Sequence, residues 1–474
     1  MHRLGGENFR GLKSFTAGWI TMGGLVLVSV LVGIVTVASP KIALAMVAGL
    51  ILVPCTLRFP VGTFYGVIAY AAFAQESFLH WTVVSLGGLN IKPSDIGFAL
   101  MAIAILHGVL SNRLELPRKS WVLLVLAGLT ALSLFAVIRN LPTVGSQAIG
   151  EARYYIAQSL ILVFLVIYGR KISVLYGVVK TLVLAGCAGV AKDWIIWLGD
   201  LSAGPAADRM STAYNMVPGS ICLVLAIALL LSNKPREIFP VFLTQRRWVI
   251  RAISILLATT VVFAGHRSVW LGTLTALSVV VLLTRGQKMK HAVSVAVVFV
   301  VVAMSLLVAE SFSGGRISST LQGRTAFLYS IDKDATGSWR VGMWKRHTEE
   351  AKKNLLIGRG FGKFSWFYDH SSRSWIQNSA HNTYVMWFEK IGLIGLTLYL
   401  VFWGGVFGEG IRALARIKDR STEYLAGAVL AVLAGTMVFN IFYESTVFLW
   451  LFGGILLAIA YHRHGSVYNA QRGC

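Results

Sequence analysis

Ser120–Ile138 reads SWVLLVLAGLTALSLFAVI, an unbroken apolar run without a charged residue. An α-helix rises ~1.5 Å per residue, so a run of roughly twenty residues crosses the ~30 Å of hydrocarbon in a bilayer. Inside lipid every backbone N–H and C=O must find its partner within the segment, which a helix achieves and an irregular chain does not. The stretch therefore predicts a membrane-spanning helix. Similar runs occupy 17–37, 42–57, 60–80, 93–110, 152–168, 172–197, 212–232, 248–264, 267–284, 291–309, 383–407, 424–441 and 446–461. Together they predict an all-α polytopic membrane protein of about 12–14 spans. The second and third meet at a tight turn, Arg58-Phe59-Pro60.

Composition agrees with this reading. The 474 residues are 56% hydrophobic and 13% charged, with a mean hydropathy of +0.70, whereas soluble domains carry roughly 25% charged residues. The expected organisation is an N-terminal transmembrane bundle (1–309), one large loop domain (310–382) and C-terminal transmembrane helices (383–474). The first apolar run is too long for a secretory signal and reads as a span that stays attached. Cys55, Cys187, Cys222 and Cys474 form no CxxC pair, so neither a disulfide framework nor a zinc site is indicated.

The net charge of +23 is compatible with nucleic acid, anionic lipid or an anionic substrate. In a membrane chain, however, Lys and Arg first gather in cytoplasmic loops. One set of alternate connections holds Arg3/Arg10/Lys13, Arg113/Arg118/Lys119, Arg170/Lys171, Lys234/Arg236/Arg246/Arg247, Arg285/Lys288/Lys290, Arg412/Arg416/Lys418/Arg420 and Arg463. The other short connections hold little beyond Lys41, Lys92 and Arg139. That alternation accounts for most of the excess without nucleic acid, and it predicts both termini in the cytoplasm. Glu310–Asn382 and the short loops at 139–151, 199–211 and 442–445 then lie on the opposite side.

The long loop is the expected seat of function, because structureless loops above ~15 residues are uncommon in compact proteins. Within it, Ser338–Asn354 (SWRVGMWKRHTEEAKKN) predicts a helix. Ser338 is the expected N-cap, and Arg340, Trp344 and His347 share one face. Gly358-Arg359-Gly360-Phe361-Gly362 reads as a turn, since no strand precedes it to make a dinucleotide fingerprint. His347 and His370 read as surface residues. Trp366, Phe367 and Trp375 fit either an interfacial belt or a sugar-stacking surface.

Charges near a membrane are costly without a partner or a task. On the outer side stand Arg153 and Arg267 at span starts, Arg209 just before a span, Arg340 in the loop helix, His381 at another span start, and Glu444 between the last two spans. Guanidinium groups bind phosphate in a bidentate, permanently charged fashion. A histidine near its ordinary pKa of about 6.5 can accept a proton from a hydroxyl. The set suits an anionic, phosphorylated substrate and offers no metal cage. For Arg153 and Arg209 a snorkelling anchor is the competing reading, and for His381 a helix cap.

Three stretches resemble the O-antigen ligase and O-antigen polymerase superfamily of bacterial envelope glycosyltransferases. They are Gly265–Leu271 (GHRSVWL), Ser338–Phe364 with its Arg…Trp helix and Gly-x-Gly-x-Gly turn, and Ser379–Leu398 (SAHNTYVMWFEKIGLIGLTL). Weaker likenesses are Asn90–Gly97 (NIKPSDIG) and Arg209–Gly219 (RMSTAYNMVPG). The resemblance implies a GT-C-like bundle in the bacterial inner membrane. It also implies a metal-independent, inverting transfer of a glycan from undecaprenyl diphosphate, without a cofactor, at the periplasmic face. The acceptor is lipid A–core for a ligase, or another lipid-linked repeat unit for a polymerase. Carried over by motif, Arg267 and Arg340 bind the diphosphate, and His381 activates the acceptor or assists charge development, with Glu444 the competing proton acceptor. Arg153 and Arg209 add to the phosphate site, and Asn382 and Tyr384 position the histidine or a sugar. His266 before Arg267, and more spans than the twelve typical of ligases, depart from the family pattern. A lipid-linked-oligosaccharide flippase is the alternative from another class. It is disfavoured because the charges cluster at one face and no inverted repeat is visible.

Overall fold

The computed structural model describes residues 40–86, 89–111, 120–203, 213–231, 247–263, 266–283, 335–369, 374–443 and 446–472. The predicted spans at 17–37 and 291–309, together with Arg209, His370 and Glu444, lie outside the described residues.

The described residues are mostly helical. In order the helices are α1 (Pro40–Arg58), α2 (Pro60–Phe73), α3 (Gln75–His80), α4 (Pro93–Leu110), α5 (Trp121–Val144), α6 (Ser146–Tyr168), α7 (Ile172–Ala203), α8 (Ala213–Leu231), α9 (Arg247–Phe263), α10 (Arg267–Leu283), α11 (Ala335–Lys352), α12 (Thr383–Arg416), α13 (Arg420–Phe439) and α14 (Val447–Arg472). Among the described residues two antiparallel hairpins interrupt them: β1 (Val84–Leu86) with β2 (Leu89–Ile91), and β3 (Ser365–Asp369) with β4 (Ser374–Asn378). Among the described residues six helices are long and apolar enough to cross a membrane, and further shorter apolar helices pack beside them. The protein is an all-α polytopic membrane protein, as its apolar runs predict.

Helix starts follow local chemistry. Pro60 and Pro93 occupy first-turn positions, where a missing N–H costs nothing. The Ser120 hydroxyl accepts from Leu123 N at 3.2 Å, and the Asp419 carboxylate from Thr422 N at 2.9 Å. Between α10 and α13 the backbones nearly touch: a Cβ on Gly272 would stand 2.7 Å from the Gly435 carbonyl oxygen. Small residues admit such an approach, which in lipid is how dispersion contacts accumulate between helices. Gly272 also faces Phe439, while Gly435 faces Ala276. The two helices therefore run antiparallel, with the start of α10 beside the end of α13.

Several expectations about boundaries are corrected. The connection expected at 139–151 is helical apart from Gly145, because α5 and α6 continue past their apolar runs. Asn140 in this stretch is buried rather than solvated: it is 2% exposed and donates to the Arg359 and Phe361 carbonyls at 2.9 and 2.8 Å. The third span breaks at Ala74 into α2 and α3. The loop helix begins at Ala335, so Ser338 lies inside it rather than capping it.

Candidate functional site

The loop meets the bundle at a kink in α12. Gly392 adopts φ 71° and ψ −167°, a region open essentially to glycine alone. The interruption frees backbone groups on both sides, and the loop satisfies them. Leu393 N and Ile394 N donate to the Leu355 and Leu356 carbonyls, while Arg359 N and Gly360 N donate to those of Glu389 and Lys390. Gly358, Gly360 and Gly362 all have positive φ, and at Gly360 a Cβ would collide with Asn140. The Gly-rich stretch is the turn its sequence predicts, and it is wedged against α5, α6 and α12. Phe361 is fully buried, with Tyr155 stacked at 6.1 Å; Tyr155 meets Trp387, which stacks on Tyr399 at 5.2 Å.

Around this wedge lies a buried ionic cluster. Glu389, 1% exposed, accepts from His347 Nδ1 at 2.8 Å and Arg359 Nη1 at 3.0 Å. Lys390 Nζ pairs with Glu151 at 2.9 Å and donates to the Lys363 carbonyl at 2.7 Å. Glu151 also accepts from Gly362 N at 2.6 Å. Two carboxylates thus face two fixed cations. His347, expected at the surface, is 2% exposed. The correction has a physical cause: the helical face it shares with Trp344 packs on α12 rather than facing water.

One end of the bundle brings Arg340 and His381 onto the same aromatic ring. Arg340, in α11, lies over the Tyr443 ring at 5.2 Å. His381 meets the same ring at 6.4 Å and Trp339 at 5.9 Å. Tyr443 stacks in turn on Phe439, 4.7 Å between centroids. The segment before α12 is pinned: Trp344 Nε1 donates to the Ala380 carbonyl at 2.9 Å, and Thr383 N reaches Asn440 O and Tyr443 O. His381 itself has φ +43°, strained for a residue with a Cβ. Asn382 caps α12, its side-chain oxygen accepting from Tyr384 N and Val385 N at 2.9 and 3.1 Å. The Tyr384 hydroxyl donates to Met437 O at 3.1 Å. Arg340 Nε is buried and makes no hydrogen bond among the described residues.

Arg267 is the first residue of α10. Because α10 and α13 are antiparallel, that start lies at the same end of the bundle as Phe439 and Asn440, and hence as Tyr443 and His381. Arg153, by contrast, is engaged within the fold: it pairs with Asp95 at 3.2 Å and donates to the Asn90 carbonyl. Sequence reasoning missed Tyr443, Trp339 and the Glu389 cluster. A signal for the last was present, since Glu389 and Lys390 interrupt an apolar span and charges at membrane depth demand partners. Among the described residues no group of three or more His, Cys, Asp or Glu is placed to hold a metal.

Fold and site together define a multi-pass helical membrane protein whose large loop brings an arginine and a histidine together at one end of the bundle. Within it, residues 252–400 match the family model described as O-antigen ligase (Wzy_C), which bears out the resemblance to the O-antigen ligase superfamily and supports an enzyme of O-antigen ligase or polymerase type. The matched segment runs from α9 through the kink of α12 and contains Arg267, Arg340 and His381, but neither Arg153 nor Arg209. A search of curated proteins finds no match.

Proposed function

We propose that the chain is an inner-membrane glycosyltransferase that moves a glycan from undecaprenyl diphosphate to an acceptor hydroxyl at the periplasmic face, acting as an O-antigen ligase on lipid A–core. The observation that carries this reading is the meeting of Arg340 and His381, from separate elements, on one Tyr443 ring. An acceptor oxygen attacks the anomeric carbon while the bond from that carbon to the diphosphate oxygen breaks, and the departing diphosphate keeps the electron pair. His381 takes the hydroxyl proton. Arg340, with Arg267 from the start of α10, meets the growing negative charge through charge-assisted bonds. The first turn of α12 adds a positive helix end beside His381. Arg209 serves as a further cation of the phosphate site, and Arg153, already paired with Asp95, as its weaker member. Asn382 and Tyr384 hold the start of α12 in place. In-line attack accounts for inversion without a metal.

The test is purified protein in lipid vesicles, supplied with a lipid-linked glycan and lipid A–core. Transfer to the core is the expected result. Growth of the lipid-linked chain alone would instead make it a polymerase. Movement of the lipid across the vesicle without a new glycosidic bond would make it a flippase.

A further inference from the structure

The buried charges of Glu389 and its partners lie away from the proposed site, and the mechanism above gives them no task. Their geometry does. Trp339 meets His381, Trp344 donates to Ala380 O, His347 donates to Glu389, and the Leu355 and Leu356 carbonyls accept from Leu393 and Ile394. From Trp339–His381 through His347–Glu389 to the Leu355 and Leu356 carbonyls the rungs climb in the same order along both segments, and only the Trp344–Ala380 bond, just before α12 begins, steps back by one residue. Helix α11 therefore runs parallel to the first half of α12, and the separation from Trp339 to His347 matches that from His381 to Glu389.

We propose that His347 and Glu389 are positioning residues that fix the register of α11 on α12 and so hold Arg340 beside His381. The proposal rests on the reading that Arg340 and His381 form one site. Apolar side chains tolerate sliding, because one contact replaces another. A buried carboxylate does not, since it is satisfied only where its donors stand. A slip of one helical turn, ~5.4 Å, would carry His347 away from Glu389 and Arg340 away from the Tyr443 ring together. The other charged groups facing Glu389 are Arg359 at 3.0 Å and Lys390 at 3.9 Å, and Lys390 is committed to Glu151. Those three hold the turn and α6 against α12, whereas His347 reaches Glu389 from α11. Replacing buried pairs by hydrophobic residues is often tolerated by stability, which makes specificity of arrangement the better account of this bond.

The clean perturbation is His347→Leu, because Glu389 keeps Arg359 and no charge is stranded. His347→Gln retains a donor for the carboxylate and is the conservative rescue. In vesicles, glycan transfer per folded molecule is expected to fall roughly hundredfold in kcat for His347→Leu, as a 1 Å misplacement can do, and to recover most of that in His347→Gln. A purely structural role would lower yield and melting temperature of both variants and leave kcat per folded molecule unchanged, which overturns the proposal. A second arm does not depend on catalysis. Spin labels at Val341 and Leu400, both exposed, are placed in a chain whose four native cysteines are replaced. They should give a narrow distance distribution that broadens or shifts in His347→Leu and narrows again in His347→Gln. An unchanged distribution in His347→Leu refutes the register claim even if the chain proves not to be a transferase. A broadened distribution with normal transfer refutes the link to the site.

Discussion

Replacing Gly392 by alanine tests whether the loop is built into the bundle or merely rests on it. At φ 71° and ψ −167° the substitution forces an L side chain into a conformation that costs about 1–3 kcal/mol. The new Cβ would also run into the Leu356 carbonyl. To clear it, the chain before Gly358 must lift, losing the bonds from Leu393 N to Leu355 O (2.8 Å) and from Ile394 N to Leu356 O (3.2 Å), about 1 kcal/mol each. The sum is a destabilisation of about 3–5 kcal/mol. Thermal unfolding in detergent can be followed with a fluorogenic thiol reagent, because Cys222 is fully buried and becomes reactive only as the bundle opens. Gly408→Ala is the control in the same helix, where nothing lies within 4 Å of the new Cβ. It should hold or gain up to about 1 kcal/mol. If Gly392→Ala melts with the wild type, or if the two variants shift alike, the account of the kink is wrong.

Asn140→Ala removes both donors to the Arg359 and Phe361 carbonyls and should cost about 1–3 kcal/mol in the same melting assay. Asn140→Asp should be worse, since a carboxylate would face two carbonyl oxygens; an aspartate variant as stable as the wild type would contradict the assignment. Asn382→Ala should lose about 0.5–2 kcal/mol with the α12 cap, whereas Asn382→Asp keeps an acceptor for Tyr384 N and Val385 N and should melt near the wild type.

Much of the bundle was legible because bilayer thickness imposes a length on apolar runs. The predicted spans from 42–57 to 267–284, and the three from residue 383 onward, each coincide with a helix or helices, apart from the break at Ala74. What the pattern does not contain is where a helix continues beyond its apolar run. Arg139, Asn140 and Glu151 look like loop residues by polarity, yet they are helical because carbonyls and amides of the Gly358–Gly362 turn satisfy them. That turn lies more than two hundred residues further along the chain, a pairing no local signal encodes. His347 looked solvated for the same reason: its partner Glu389 is on another helix. At the site, Arg340 and His381 were legible as chemistry, and their common neighbour Tyr443 was not. An aromatic residue in a short link carries no mark of the two groups that pack on it.

Arg340 and His381 are proposed to serve one transfer, the arginine at the departing diphosphate and the histidine at the acceptor hydroxyl. The most direct measurement is transfer of a labelled glycan from the lipid diphosphate by Arg340→Ala, His381→Ala and the double variant, each inserted and folded to the wild-type level. The account predicts that each single change abolishes measurable transfer, roughly a hundredfold loss or more, and that the double variant is no worse than the weaker single. Transfer at the wild-type rate by either single variant would contradict it.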